Sequence, residues 1–125
     1  MREKGFSTDA ARGAVERLER EGWLDDVAAA RSLVRQRAAR YGRERIAREL
    51  SVRGFEAAVA REALDAELPE KEEIALSRAF ARLWRENAGR PKPERSRRVR
   101  QALMRRGFAA DAVSAMIRGS HDDTQ

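Results

Sequence analysis

Few side chains in this sequence combine the types and spacing that chemistry requires. His121 is the one imidazole and there is no cysteine. No second base or nucleophile accompanies His121 in its polar C-terminal surroundings, so it is expected as a solvent-exposed bystander. Asp25 and Asp26 are the nearest thing to a carboxylate pair, but adjacent residues on a helix diverge by about 100°. Negative charge at a helix N-terminus accounts for them better. Glu70, Glu72 and Glu73 would need a histidine or a further aspartate to hold a metal; without one they predict an acidic first turn. Gly42, Gly54, Gly89 and Gly107 stand singly at helix ends and make no phosphate-cradling loop. Trp23 and Trp84 are expected as core anchors rather than platforms for stacked bases. The sequence therefore predicts no catalytic residues, no metal site, no cofactor and no enzymatic activity.

What it does hold is arginine. Arginines outnumber lysines 24 to 3, and the guanidinium fork suits phosphate and carboxylate alike. The overall charge of +6 is unevenly spread. Residues 31–53 carry a net +6, residues 92–118 another +6, and residues 56–76 between them a net −5. Arg35, Arg37, Arg40, Arg43, Arg45 and Arg48 form a first candidate contact cluster; Arg97, Arg98, Arg100, Arg105 and Arg106 form a second. Two such segments can approach an anionic partner, or they can be solvated helix faces. Arg45 and Arg98 recur at matching positions, so each is also a candidate for bridging helices within its own unit.

The elements that position these arginines repeat. Arg45-Ile46-Ala47-Arg48-Glu49-Leu50-Ser51-Val52-Arg53-Gly54-Phe55 returns as Arg98-Val99-Arg100-Gln101-Ala102-Leu103-Met104-Arg105-Arg106-Gly107-Phe108, with a third echo in Lys4-Gly5-Phe6. Self-similarity of this kind marks a repeat array. A helix capped by Ser7 is expected to end at Gly22. A second, with its apolar stripe at Val27, Ala30, Val34, Ala38 and Tyr41, is expected to start near Asp25 and stop near Arg40. A short helix at 43–52 buries Ile46 and Leu50, Gly54 takes a left-handed conformation after it, and Phe55 packs as the chain enters a helix at about 56–66. Pro69 opens a helix to about 88 with the stripe Leu76, Ala79, Phe80, Leu83 and Trp84. A proline-bearing loop at 89–93 leads to two last helices, about 94–105 and 109–118. The expected architecture is all-α: an elongated, curved tandem array of three-helix repeats with about seven helices and an incomplete first repeat. Its units are 1–22, 23–67 and 68–119, followed by a polar tail at 120–125. Gly5-Phe6 aligns with the middle of an earlier unit, which predicts further helices encoded upstream.

In this order and spacing the residues resemble a known family. Leu18-x-x-x-Gly22-Trp23-Leu24-Asp25-Asp26, the arginine-bearing helix, and Tyr41-Gly42-x-x-Arg45-Ile46-x-x-Glu49-Leu50-x-x-Arg53-Gly54-Phe55 are similar to RecX, the bacterial regulators of RecA recombinase. The likeness is most specific over about 14–64 and extends to about 118. The last repeat departs from the pattern, carrying Pro91 and Pro93 in place of the Leu-Asp-Asp entrance. The resemblance implies tandem three-helix repeats and a protein that binds the RecA–DNA filament in its groove. It also implies restraint of RecA ATP hydrolysis, strand exchange and coprotease activity. A direct DNA-binding helical module acting without RecA and a purely structural adaptor are the alternative classes. With neither a membrane-length apolar run nor a signal peptide, a cytoplasmic monomer without membrane contact is expected.

Overall fold

The computed structural model describes residues 8–123, and among them every regular element is a helix. In chain order these are α1 (Thr8–Arg37), α2 (Arg43–Val52), α3 (Ala57–Glu67), α4 (Pro69–Glu86), α5 (Lys92–Arg105) and α6 (Ala110–Asp123). Ser7 and the Gly5-Phe6 echo lie outside the described residues. α1 alone, at 30 residues, is about 45 Å long at 1.5 Å per residue. The array is elongated.

The repeated phrase is a helix stop written out in full. At the end of α2, the Gly54 N–H donates to the Ser51 carbonyl (3.0 Å) and the Phe55 N–H reaches back to the Leu50 carbonyl (3.1 Å). At the end of α5, Gly107 donates to Met104 (3.0 Å) and Phe108 to Leu103 (3.3 Å). This is the paired bonding of the Schellman motif, in which the residue after glycine also packs on the residue five positions before it. The motif explains the spacing Leu-x-x-Arg-Gly-Phe: leucine supplies the carbonyl and the apolar contact, glycine the turn, phenylalanine the lock. Both glycines have positive φ, 95° at Gly54 and 90° at Gly107, where a Cβ is strained. Phe108 is 1% exposed, whereas Phe55 is only partly buried at the edge of its core.

The same signal fails at Gly22. Leu18 and Trp23 stand in the same relation to Gly22 as Leu50 and Phe55 do to Gly54, yet α1 runs unbroken through Thr8–Arg37. Among the described residues nothing covers this part of the helix: Leu18 is 68% exposed and Trp23 37%. With no apolar body to receive the tryptophan, the turn gains nothing, and continuing the helix keeps its hydrogen bonds for the roughly 1 kcal/mol that an interior glycine costs. Two expected helices thus merge into one, giving six among the described residues. Asp25 and Asp26 sit exposed in mid-helix rather than at an N-terminus, and Trp23 is no core anchor. Trp84, by contrast, stacks on Phe80 (5.3 Å between centroids) and packs against the second core. At the other end, α6 continues past 118 through a buried Ser120, whose hydroxyl donates to the Ile117 carbonyl (2.7 Å). The side chain of His121 is outside the described set.

The buried residues form two cores. Val27, Ala30, Leu33, Val34 and Ala38 of α1 and its end pack with Ile46 and Leu50 of α2 and with Val59, Ala63, Leu64 and Leu68 around α3. Leu76 and Phe80 of α4, Val99 and Leu103 of α5, Phe108, and Val113 and Ile117 of α6 form the second. Leu68, of the first core, ends α3 and precedes α4 in a right-handed helical conformation (φ −87°, ψ −37°) and is 1% exposed. Pro69 at the first position of α4 has no N–H to leave orphaned.

A second junction lies at the start of α2. The Gly42 N–H donates to the Arg106 carbonyl (2.8 Å) and the Glu44 N–H to the Gly107 carbonyl (3.2 Å). The Arg43 N–H donates to Glu72 Oε2 of α4 (2.7 Å). The orphan donors of this helix N-terminus are therefore met by groups of the other core. The approach is close enough that a Cβ on Gly42 would lie 2.5 Å from the Gly107 oxygen, and one on Gly107 would strike the backbone of Arg45.

Candidate functional site

The eleven arginines read from the sequence divide into three sets. The first is consumed by structure. Arg35 Nη1 bonds Glu67 Oε2 at 2.8 Å, alongside Arg31 Nε at 2.8 Å and Lys71 Nζ on the other oxygen at 2.8 Å. Three half-exposed cations from α1 and α4 thus converge on one buried carboxylate of α3, and Glu67 is held down at about 2 by the bonds from Lys71, Arg31 and Arg35 against the opposing effect of burial. Arg37 forks onto Glu49 of α2, Nε to Oε1 at 2.9 Å and Nη2 to Oε2 at 2.9 Å, and Arg53 adds a contact at 3.1 Å. That hydrogen bond raises the Arg37 guanidinium and lowers the Glu49 carboxyl. Arg43 bonds Asp65 of α3 (2.7 Å), and Arg100 bonds the Ser114 hydroxyl of α6 (2.7 Å). These side chains tie helices together.

The second set stands on the surface. Arg48 and Arg98 are exposed and make no ion pair among the described residues, and Arg97 has only a 4.0 Å contact with Glu94. Arg45 and Arg98, equivalent by repeat, part company here: Arg45 reaches the other unit and Arg98 does not bridge.

The third set is gathered round one cavity. Arg40 and Tyr41 after α1, Arg45 of α2, and Arg82, Leu83, Ala102, Arg105 and Arg106 of α4, α5 and its end line a cavity of about 610 Å³. No carboxylate lines it. The Arg45 guanidinium lies over the Tyr41 ring, 4.0 Å from its centroid, with Nη1 3.5 Å from the Arg105 carbonyl. Arg82 pairs with Glu86 one turn on, at 3.2 Å. Arg40, Arg105 and Arg106 have no side-chain partner among the described residues. Arg82 was missed in the sequence because it lies between the two basic segments, 31–53 and 92–118, from which the candidates were drawn. Arg95 was missed too: it bonds the Trp84 carbonyl through Nε (3.0 Å) and Nη2 (2.6 Å) and lies 3.9 Å over the indole. It closes the C-terminus of α4 and offers nothing to a partner. No group of three or more His, Cys, Asp or Glu among the described residues is placed to hold a metal. None of their helices is long and apolar enough to cross a membrane.

A two-core array of helices, with arginine gathered where the cores meet, is the build of a helical-repeat protein. The family model described as "RecX, second three-helix domain" matches residues 25–64. The Regulatory protein RecX of Stenotrophomonas maltophilia is 33% identical over 121 residues, covering 96% of this chain and 73% of that one. That of Chromobacterium violaceum is 29% identical over 94% of this chain and 74% of its own. That of Ralstonia pickettii is 36% identical over 84% and 64%. A crystal structure of regulatory protein RecX superposes with a TM-score of 0.67 at 24% identity, over 90% of this chain and 57% of that one. The chain belongs to the RecX family of regulatory proteins.

Proposed function

We propose that this protein binds the RecA–DNA filament and restrains it, lowering RecA ATP hydrolysis, strand exchange and coprotease activity. The observation that carries this reading is the set of exposed arginines without a side-chain partner among the described residues, Arg40, Arg48, Arg98 and Arg105, set along an elongated two-core body. Such a body spans neighbouring protomers of a filament, and several weak contacts add through effective concentration. Regulation then needs no chemistry, only tighter binding to one filament state than to another.

Co-sedimentation with RecA filaments on single-stranded DNA, against DNA alone, tests it. Two charge-reversed pairs, Arg48→Glu with Arg98→Glu and Arg40→Glu with Arg105→Glu, are each expected to weaken filament binding. The loss should be about 1–3 kcal/mol per charge-assisted hydrogen bond removed, together with relief of ATPase inhibition. Helical content should hold, since exposed charges add little to folding. Unchanged inhibition by both pairs would overturn the reading, and equal binding to DNA with and without RecA would favour a direct DNA-binding module.

A further inference from the structure

The cavity between the units differs from the rest of the basic surface. Elsewhere Glu49 and Glu67 gather two and three cations respectively. Here five arginines line one space with no carboxylate in its wall, and of the five only Arg82 is ion-paired among the described residues, with Glu86 outside the wall. We propose that this cavity binds a run of adjacent phosphates, as carried by a nucleic-acid backbone or by a free polyphosphate. The inference rests on reading the basic clusters as a contact surface, and it names what one of them contacts.

Three features select the ligand. A concave site walled by one sign of charge focuses its field, and five cations converging on about 610 Å³ call for several negative charges close together. Successive phosphates meet that demand. The donors are all arginine, whose fork takes two oxygens of a phosphate at once. Finally, the one aromatic ring in the wall has a face covered: Arg45 lies over Tyr41 at 4.0 Å. That contact takes one face of the ring from base stacking and sets a guanidinium over it, which favours the phosphate chain.

Calorimetric titration of the full chain at low salt, with inorganic triphosphate and with an abasic deoxyribose-phosphate oligonucleotide, distinguishes the two sources. Saturable binding of at least one is expected. Arg40→Gln or Arg105→Gln, both exposed positions, should weaken it about tenfold, the size of one charge-assisted hydrogen bond. Arg40→Lys should fall between, keeping charge but losing the fork. Arg118→Gln, an exposed arginine on α6 outside the cavity, should leave affinity within about twofold, matching the small effect of an exposed charge. For the oligonucleotide, the slope of log affinity on log salt should become shallower by about 0.7 for each phosphate that the variant no longer neutralises. The proposal is overturned if neither probe binds, if Arg118→Gln costs as much as the cavity variants, or if a glutamate-rich peptide of equal charge binds more tightly than triphosphate. Filament binding retained while both phosphate probes fail removes the cavity inference alone. Phosphate binding without filament binding removes the filament reading and leaves the cavity.

Discussion

Gly42→Ala turns on a question of sign. At φ −90°, ψ 176°, alanine fits the backbone as well as glycine does. Replacing glycine at a compatible site normally stabilises by about 0.4–1 kcal/mol through the unfolded chain. The junction reverses that expectation. A Cβ here would lie 2.5 Å from the Gly107 oxygen and 2.7 Å from Phe108 Cα, and both are backbone atoms that cannot swing aside. The two units must part, losing the bonds from Gly42 to Arg106 and from Glu44 to Gly107. At about 0.5–1.5 kcal/mol each, the lost bonds cost about 1–3 kcal/mol, offset in part by the unfolded-chain gain of about 0.4–1 kcal/mol and bounded because both cores survive the opening. Gly54→Ala is the control: it meets open space and is penalised only through its φ of 95°, by about 1–2 kcal/mol. Gly107→Ala combines both penalties and should lose about 2–5 kcal/mol. Urea unfolding ranks the three, and small-angle scattering reports whether the units separate. A Gly42→Ala variant at least as stable as the parent, with unchanged scattering, would refute the close approach.

Two further expectations concern the cores. Phe108→Ala should cost about 3–5 kcal/mol, the range for a fully buried aromatic, and Phe55→Ala clearly less, since it lies only partly buried; equal effects in thermal unfolding would contradict the packing described. Glu67, held at about 2 from an ordinary 4.5, contributes stability that is fully present above its unfolded value and is lost as pH falls from about 4.5 towards 2. Glu67→Gln should lower stability by about 1–3 kcal/mol at neutral pH, and its melting temperature should fall less steeply across that acid window than the parent's. Parallel curves would show that the three cations contribute nothing to folding.

Much of the fold was legible because the repeated phrase encodes local bonding. Leu50 with Gly54 and Phe55, and Leu103 with Gly107 and Phe108, carry a complete stop whose apolar lock falls on a core already implied by the helical stripes. The identical spacing at Leu18, Gly22 and Trp23 misled because the signal is only half local: the turn forms where something exists to bury the aromatic. The arginines were legible as clusters but not as individuals. Arg37 and Arg40 stand three residues apart on one flank of α1 and its end, yet one is forked onto Glu49 and the other has no side-chain partner among the described residues. Which carboxylate an arginine meets depends on how helices far apart in sequence cross, and no spacing within α1 records that. The cavity was hidden for the same reason, since Arg40 and Arg45 meet Arg82, Arg105 and Arg106 only across the junction.

That junction also sets an order of assembly. The N-terminal donors of α2 belong to the part of the chain synthesised first, yet their acceptors, the carbonyls of Arg106 and Gly107 and the carboxylate of Glu72, come from the part synthesised later. While the second unit is still missing, the first can close its core around Ile46 and Leu50, but it must leave the entrance of α2 bonded to water. The last turn of α5 finishes the earlier helix as well as its own. The two units mature as one: truncating the chain after Leu68 would remove a neighbour and, with it, part of the hydrogen bonding of a helix that the truncation leaves whole in sequence.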